Sequence, residues 1–267
     1  MNILDKIVAH KQIEIAERST MTPISVLEKS PYFGRQTYSL RTSLLHPERT
    51  GIIAEFKRRS PSKGDINTRA DAATVTKGYA DAGASGLSIL TDEQFFGGST
   101  ADLMAGREAN QIPILRKDFM VHDYQVFEAK AMGADVILLI AECLEADQLR
   151  SLAKTAKSLG LEVLMEIHSG DQLAKLCPEV DVVGVNNRNL KNFEVSVQTS
   201  IDLFDQIPAE FLKISESGIN NPQTIQELKQ VGFQGFLIGE YFMSDPQPQQ
   251  RFAEFVQSLN SLPQVSF

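Results

Sequence analysis

From Gly51 onward one pattern recurs: a short apolar or β-branched segment, a polar loop, then an amphipathic stretch that closes near a glycine before the next apolar segment. The joints stand at Asp81-Ala82-Gly83-Ala84-Ser85, Lys130-Ala131-Met132-Gly133-Ala134-Asp135, Ser158-Leu159-Gly160-Leu161-Glu162 and Gln230-Val231-Gly232-Phe233. A glycine at a helix end takes the left-handed conformation that other residues resist, and so turns the chain back toward its next strand. Strands are expected to start near Ile52, Gly86, Ile112, Asp135, Glu162, Asp181, Phe211 and Gly235. Their spacing averages about 26 residues, enough for a strand, a helix and a right-handed crossover between parallel neighbours. Eight such units predict an α/β fold, a single (β/α)8 barrel of the TIM type. A doubly wound open sheet would carry its phosphate cradle in the loop after the first strand. That loop, residues 58–64, has no G-x-G-x-x-G, and no Walker sequence occurs anywhere.

Residues 1–49 precede these units. Ile3, Leu4, Ile7, Val8, Ile15 and Ala16 fall near one helical face and Asp5, Lys6, Lys11, Glu14 and Glu17 mostly on the other, which predicts a helix over 2–19. Pro23, Pro31, Gly34 and Pro47 interrupt the chain between that helix and Gly51, so a short helix near 25–29 and connecting segments are expected there. The segment is too poor in apolar mass for a core of its own. It is therefore read as an extension of one domain spanning 1–267, packed over the barrel mouth, with no fused second enzyme.

The balance of charge narrows the partners. A net charge of −8 argues against a nucleic-acid or anionic-membrane surface, so basic residues gathered at one place would act on a small anion. Cys143 and Cys177 lie far apart without metal or redox spacing and are read as reduced core thiols, which fits a cytoplasmic protein. No apolar run approaches a membrane span, and Met1 is followed by an amphipathic pattern rather than a signal peptide.

Polar residues collect where each strand should end: Lys57, Thr91-Asp92-Glu93, Lys117-Asp118, Glu142, Glu166, Asn186-Asn187-Arg188, Glu216-Ser217-Gly218 and Gly239-Glu240. In a barrel these ends converge on one mouth. Because strand side chains alternate, Glu55 and Lys57 share a face with Ile53, Lys117 with Leu115, Glu166 with Leu164, Asn186 with Gly184, and Glu216 with Ile214. Arg116 then points to the helices. The inward set brings two ammonium groups and three carboxylates together, with no metal spacing, which suits proton transfer. A structural ion pair is the plainer reading of Glu55 and Lys57, but desolvating both charges without a use for them is costly. Among the histidines, His10 and His46 lie in the extension and His122 is expected to cap a helix. Only His168 could reach the mouth, and it is read as a loop or helix-start residue.

Five stretches carry a resemblance. Ile53–Gly64 (IAEFKRRSPSKG), Leu87–Asp92 with Phe96 and Gly98-Ser99, Pro113–Phe119 (PILRKDF), Gly184–Leu190 (GVNNRNL) and Ser215–Ile219 (SESGI) are similar to the indole-3-glycerol-phosphate synthase family, in the family's order. The opening Ile3-Leu4-Asp5-Lys6-Ile7 resembles it too, so the match covers essentially the whole chain. The resemblance implies a tryptophan-pathway lyase without cofactor or metal. Its reaction turns 1-(2-carboxyphenylamino)-1-deoxyribulose 5-phosphate into indole-3-glycerol phosphate, carbon dioxide and water. A phosphoribosyl isomerase would show paired aspartates at opposite strand ends instead, and a non-catalytic barrel would lack Lys117 or Glu166.

Carried over by motif, Lys117 resembles the general acid on the ketone, usable if burial near another cation lowers its pKa. Lys57 would bind substrate anions or assist dehydration, Glu166 would be the dehydration base, and Glu55 would set the charges of the lysines. Ser60, Asn186, Arg188, Glu216 and Ser217 match substrate-contacting positions, while Pro61, Phe96, Phe119, Leu138 and Leu190 match the walls around the anthranilate ring. Gly218, Gly239 and Glu240 match the phosphate site, whose donors are backbone amides after the last two strands and at the start of a short helix. Two departures stand out. Glu240 replaces a serine found in other members, so only its amide is expected to take part. Glu142 stands where many members carry an apolar residue and is assigned no catalytic role. The expected partner is a small phosphorylated molecule, with the protein acting as a monomer.

Overall fold

The computed structural model describes residues 3–190 and 193–263. Eight parallel strands close a barrel: β1 (Ile52–Phe56), β2 (Gly86–Leu90), β3 (Ile114–Lys117), β4 (Val136–Ile140), β5 (Glu162–Ile167), β6 (Val182–Asn186), β7 (Leu212–Glu216) and β8 (Gly235–Ile238). Each pairs with its neighbours in sequence, and Ile52 of β1 opposite Phe236 of β8 completes the ring. The expected starts are met at β1, β2, β5 and β8 and fall one or two residues early elsewhere. At β3 the cause is Pro113, which lacks an N–H to give to a ladder and contributes only its carbonyl, to Leu87 N at 2.9 Å. The glycines at the four joints all have positive φ, from 73° at Gly160 to 120° at Gly232.

Alternation sorts the core into two layers. Ile53, Leu115, Leu138, Leu164, Ile214 and Leu237 pack with one another inside the barrel. Ala54, Phe56, Ile89, Ile137, Met165 and Phe236 face the helical shell. Full burial of one large apolar side chain contributes roughly 1.5–3 kcal/mol, so a one-residue slip of any strand would expose several such contributions at once. Arg116 points outward as expected and is fully buried, bonded to the Gln125 carbonyl and paired with Asp118 and Glu128.

The extension behaves differently along its length. Helix α1 (Ile3–Met21) brings Ile3, Leu4 and Ile7 to the barrel mouth; Asn2, the expected first helical residue, lies outside the described residues. Lys11, placed by periodicity on the polar face, is fully buried. Its ammonium lies 2.9 Å from Glu14 and 3.0 Å from each of Asp92 and Asp118, which follow β2 and β3. Asp92 meets it as a charge contact, its Oδ2 accepting no hydrogen bond. Helix α2 (Ile24–Leu27) is the short helix expected near 25–29. Helix α3 (Leu40–Leu44) was expected only as connecting chain. The Glu162 carboxylate accepts bonds from Leu40 N, Arg41 N and Ser39 Oγ, which secures the first turn of α3 against β5.

Leu40 and Leu44 insert into the amino-terminal end of the barrel. A methyl group built on Gly86 would strike Leu40, and one built on Gly235 would come within 3.0 Å of Leu44. The extension therefore clasps both ends: α1 walls the mouth and α3 plugs the floor. Leu40→Ala should cost about 2–5 kcal/mol of stability in urea denaturation while leaving the turnover of the folded fraction intact. Equal loss of turnover per folded molecule would place Leu40 in the chemistry instead of the plug.

Candidate active site

The carboxyl ends of the strands enclose a cavity of about 1000 Å3, and every site residue expected from the sequence lines it. At its floor, Lys57 donates to Glu55 Oε1 at 2.6 Å, and Ser88 Oγ donates to Glu55 Oε2 at 3.2 Å. Across the barrel, Lys117 ends β3 and reaches Glu166 of β5 at 2.7 Å and Glu216 of β7 at 2.8 Å. Asn186 Nδ2 donates to the other Glu166 oxygen at 3.1 Å. Period-two alternation puts these groups on the inner face, and two glycines make room for them. A side chain at Gly184 would collide with the Glu216 carboxylate, and one at Gly239 with that of Glu55.

Charge balance here departs from one expectation. Burial alone would pull the Lys117 ammonium down, but Glu166, Glu216 and Glu55 surround it and hold it above the ordinary lysine range. It is a fixed cation, not a lysine lowered toward neutrality, because carboxylates outnumber cations around it. Glu166 is raised by burial, yet the Lys117 charge and the Asn186 bond leave it ionised, down at about 2. Glu216 moves the other way: burial and the neighbouring Glu166 charge push it up to about 7 against the pull of Lys117. One ammonium cannot fully serve two buried carboxylates, so the pair titrates as a unit with its two protonation steps far apart.

Apolar walls rise above the floor. The Phe96 and Phe119 rings lie 5.9 Å apart at 39°, and Leu138, Leu190 and Pro61 add to the same lining. Asp92 Oδ1 accepts the amides of Phe95 and Phe96, so one aspartate anchors Phe96 through one oxygen and meets Lys11 with the other. Ile3, Leu4 and Ile7 complete the wall from α1; their apolar spacing and the family-like opening were the sequence signals there, though neither marked them as site residues. Residues 58–65 fold as a small antiparallel hairpin whose Ser60 is buried at the rim.

On the opposite rim, Ser217 and Gly218 both have positive φ, 68° and 77°. Asn187, not singled out from sequence, steadies this turn by donating to the Ser217 carbonyl and to Ser215 Oγ, each at 3.0 Å. Gly239 precedes helix α4 (Glu240–Met243). The Glu240 carboxylate turns aside to Arg188 at 3.1 Å and Lys63 at 3.3 Å, which offsets the negative charge that looked out of place beside an anion. Glu142 is exposed and outside the main cavity, bonded to the Gln172 amide. His122 caps its helix as expected, accepting Tyr124 N at 3.0 Å. His168 follows β5 in a bend, its Nε2 3.5 Å from Glu166 Oε1. Among the described residues no cluster of three or more His, Cys, Asp or Glu is arranged to hold a metal ion, and no helix is long and apolar enough to cross a membrane.

A closed (β/α)8 barrel with a buried lysine–carboxylate cluster, aromatic walls and a glycine-rich rim at its carboxyl end defines the class of barrel enzymes, with groups suited to acid–base chemistry. Solved structures agree on the barrel: a chain of the tryptophan synthase α2β2 complex of Pyrococcus furiosus matches with a TM-score of 0.60 at 14% identity, covering 80% of this chain and 99% of that one. 3-Hexulose-6-phosphate synthase of Salmonella typhimurium matches at 0.57 and 13% identity, over 78% and 98%. The family model for indole-3-glycerol phosphate synthase matches residues 4–255. Indole-3-glycerol phosphate synthase of Bacteroides thetaiotaomicron is 43% identical over 97% of this chain and 99% of its own, and that of Verminephrobacter eiseniae 41% identical over 92% and 96%. The chain belongs to the indole-3-glycerol phosphate synthase family. Its activity is accordingly a carboxy-lyase step of tryptophan biosynthesis, EC 4.1.1.48.

The raised Glu216 carboxyl has a measurable consequence for stability. Folded, it keeps its proton to about pH 7, whereas an unfolded glutamate sheds it near ~4.3. Its contribution is therefore fully present below the unfolded value and is lost as pH rises through 7. Glu216→Gln has no proton to lose, so its melting temperature should approach that of the parent near pH 5 and exceed it at pH 8. A variant less stable than the parent at pH 8 would mean that Lys117 holds Glu216 ionised.

Proposed function

We propose that Lys117, Glu166, Glu216, Lys57 and Glu55 carry the ring closure of 1-(2-carboxyphenylamino)-1-deoxyribulose 5-phosphate, with the anthranilate ring between Phe96 and Phe119 and the phosphate at the Ser217–Gly218 and Gly239–Glu240 rim. The observation that supports this most is the Lys117 ammonium, 2.7 and 2.8 Å from two carboxylates at the floor of an apolar-walled cavity. The Lys117 ammonium, charged at rest, polarises the ketone, and its proton moves as negative charge develops on that oxygen during attack by the ring carbon. The carboxylate leaves that carbon as carbon dioxide and aromaticity returns. Ionised Glu166 then takes the proton from the methylene beside nitrogen, while a protonated group, Glu216 or Lys57, donates to the departing hydroxyl. Glu55 holds Lys57, and Ser60, Asn186 and Arg188 orient the ribulose chain. Pro61, Leu138 and Leu190 exclude water from the ring face.

At the rim, the first amides of a helix have no partner within it and suit an anion. The Ser217–Gly218 turn presents further backbone donors, and with Glu240 drawn to Arg188 and Lys63 its carboxylate offers less repulsion. We also take the enzyme to act in the cytoplasm, as a monomer without a cofactor, with residues 1–49 and the barrel working as one domain.

Lys117→Met removes an interaction strongest in the transition state and should lower kcat by about 10²–10⁴-fold with a smaller change in KM. Glu166→Gln should also slow turnover and let an intermediate accumulate that has lost carbon dioxide but not water. Assays of indole formation by ultraviolet absorbance, beside melting temperatures, decide the point: a folded Lys117→Met protein with near-normal turnover would remove Lys117 from the chemistry. Inorganic phosphate should inhibit competitively against substrate, and purely non-competitive inhibition would move the phosphate site elsewhere.

A further inference from the structure

Proton balance leaves one requirement open. Written for the ionised substrate, ring closure takes up one proton net: one goes to the ketone oxygen, one leaves with the hydroxyl as water, and one is recovered from the ring methylene. The carboxylate departs as carbon dioxide without a proton. The cluster must therefore recover one proton from solvent each turnover, although the Glu166 side chain is only 4% exposed.

Behind Glu166 lies a group that the steps above do not use. His168 Nε2 is 3.5 Å from Glu166 Oε1, and neither ring nitrogen has a hydrogen-bond partner although both are sealed from solvent. Buried polar atoms are seldom left so, and each exception asks for a physical reason. On its far side His168 lines a second cavity of about 330 Å3 together with Glu142, Arg188 and Glu194. Gln172 spans the two ends: its amide nitrogen bonds Glu142, and its oxygen accepts the backbone N–H of His168 at 2.8 Å. Exposure thus rises outward from buried Glu166, through half-buried His168, to exposed Glu142.

We propose that His168 relays protons between the second cavity and Glu166 while substrate occupies the mouth. When water enters the second cavity, one ring nitrogen takes a proton from hydronium beside Glu142, releasing water, and the N–H on Nε2 gives its proton to the Glu166 carboxylate. From there it passes to Lys117, 2.7 Å away, resetting the acid. Burial lowers the affinity of His168 for a second proton, and Lys117 adds to this, while Glu166 and Glu142 oppose it. The Cys143 thiol, on the same turn as Glu142, is pushed up to about 12 by burial and stays neutral. A neutral imidazole between two carboxylates can accept on one nitrogen and donate from the other. The proposal rests on the assignment of Glu166 as the base.

The test measures single-turnover ring closure in H2O and D2O, between about pH 6 and 9, for His168→Gln, Glu142→Gln and Glu166→Gln. His168→Gln should lower the rate roughly ten- to hundredfold, less than loss of the acid–base group itself, with KM little changed and a larger solvent isotope effect. Glu142→Gln should act in the same direction with smaller size. Imidazoles added to His168→Ala should restore the rate in order of their basicity. A normal rate and isotope effect in His168→Gln would overturn the relay, as would a slower variant whose isotope effect is unchanged and whose rescue ignores basicity, since that is a packing role. Should His168→Gln fail to fold, an unchanged isotope effect in Glu142→Gln overturns the relay by itself. An active Glu166→Gln would sink the base assignment and the relay with it, whereas an inactive Glu166→Gln beside a normal His168→Gln sinks the relay alone.

Discussion

Everything at the mouth is arranged around one ammonium shared by two carboxylates. Lys117 sits between Glu166 and Glu216 on strands that enter the barrel from different sides, and none of the three charges could be buried alone without a desolvation cost of several kcal/mol. Held together they are tolerated, but not equally. One carboxylate stays ionised and the other is driven toward neutrality, so one residue type stands in two protonation states within the site. That division needs close approach, and the close approach needs Gly184, where any side chain would displace Glu216.

A second set of buried charges supports the first from outside. Asp118 adjoins Lys117 and is held at about 2, where burial is outweighed by Lys11 and Arg116. Arg116 ties it to Glu128, and Lys11 ties it to Asp92, whose other oxygen anchors the loop bearing Phe96. The N-terminal helix is thus part of the site's frame: Lys11, the cation that anchors it, pairs with Asp118, the residue next to Lys117. At the other end of the barrel α3 fills the floor with Leu40 and Leu44, so the extension spans the barrel from floor to mouth.

Much of this was legible along the chain. Repeat spacing, glycine joints and strand alternation led to the barrel and to the inward set, since each depends on local geometry that a short segment carries within itself. The wall residues were legible only by resemblance, because nothing in the pattern of Phe96, Leu138 or Leu190 distinguishes an active-site wall from ordinary core. Lys11 and α3 were misread for one reason: helical periodicity reports which face is apolar, not which neighbour awaits it. Two aspartates from distant loops made a buried position acceptable to a lysine, and a cavity at the barrel floor gave a five-residue helix its purpose.

The sequence by itself determined the order of the elements, the inward parity of Glu55, Lys57, Lys117, Glu166, Asn186 and Glu216, and their arrival at a common rim. These follow from two-residue alternation and from the short reach of strand–helix units, and no long-range contact can alter them without exposing core. Only the tertiary structure decided the protonation of those groups. An acid role for Lys117 was tied to its being lowered by a nearby cation; it is instead raised by three carboxylates, because sign and magnitude depend on distances between residues dozens of positions apart. The same holds for His168, a loop residue along the chain, which folding brings to 3.5 Å from Glu166 with a second cavity at its back.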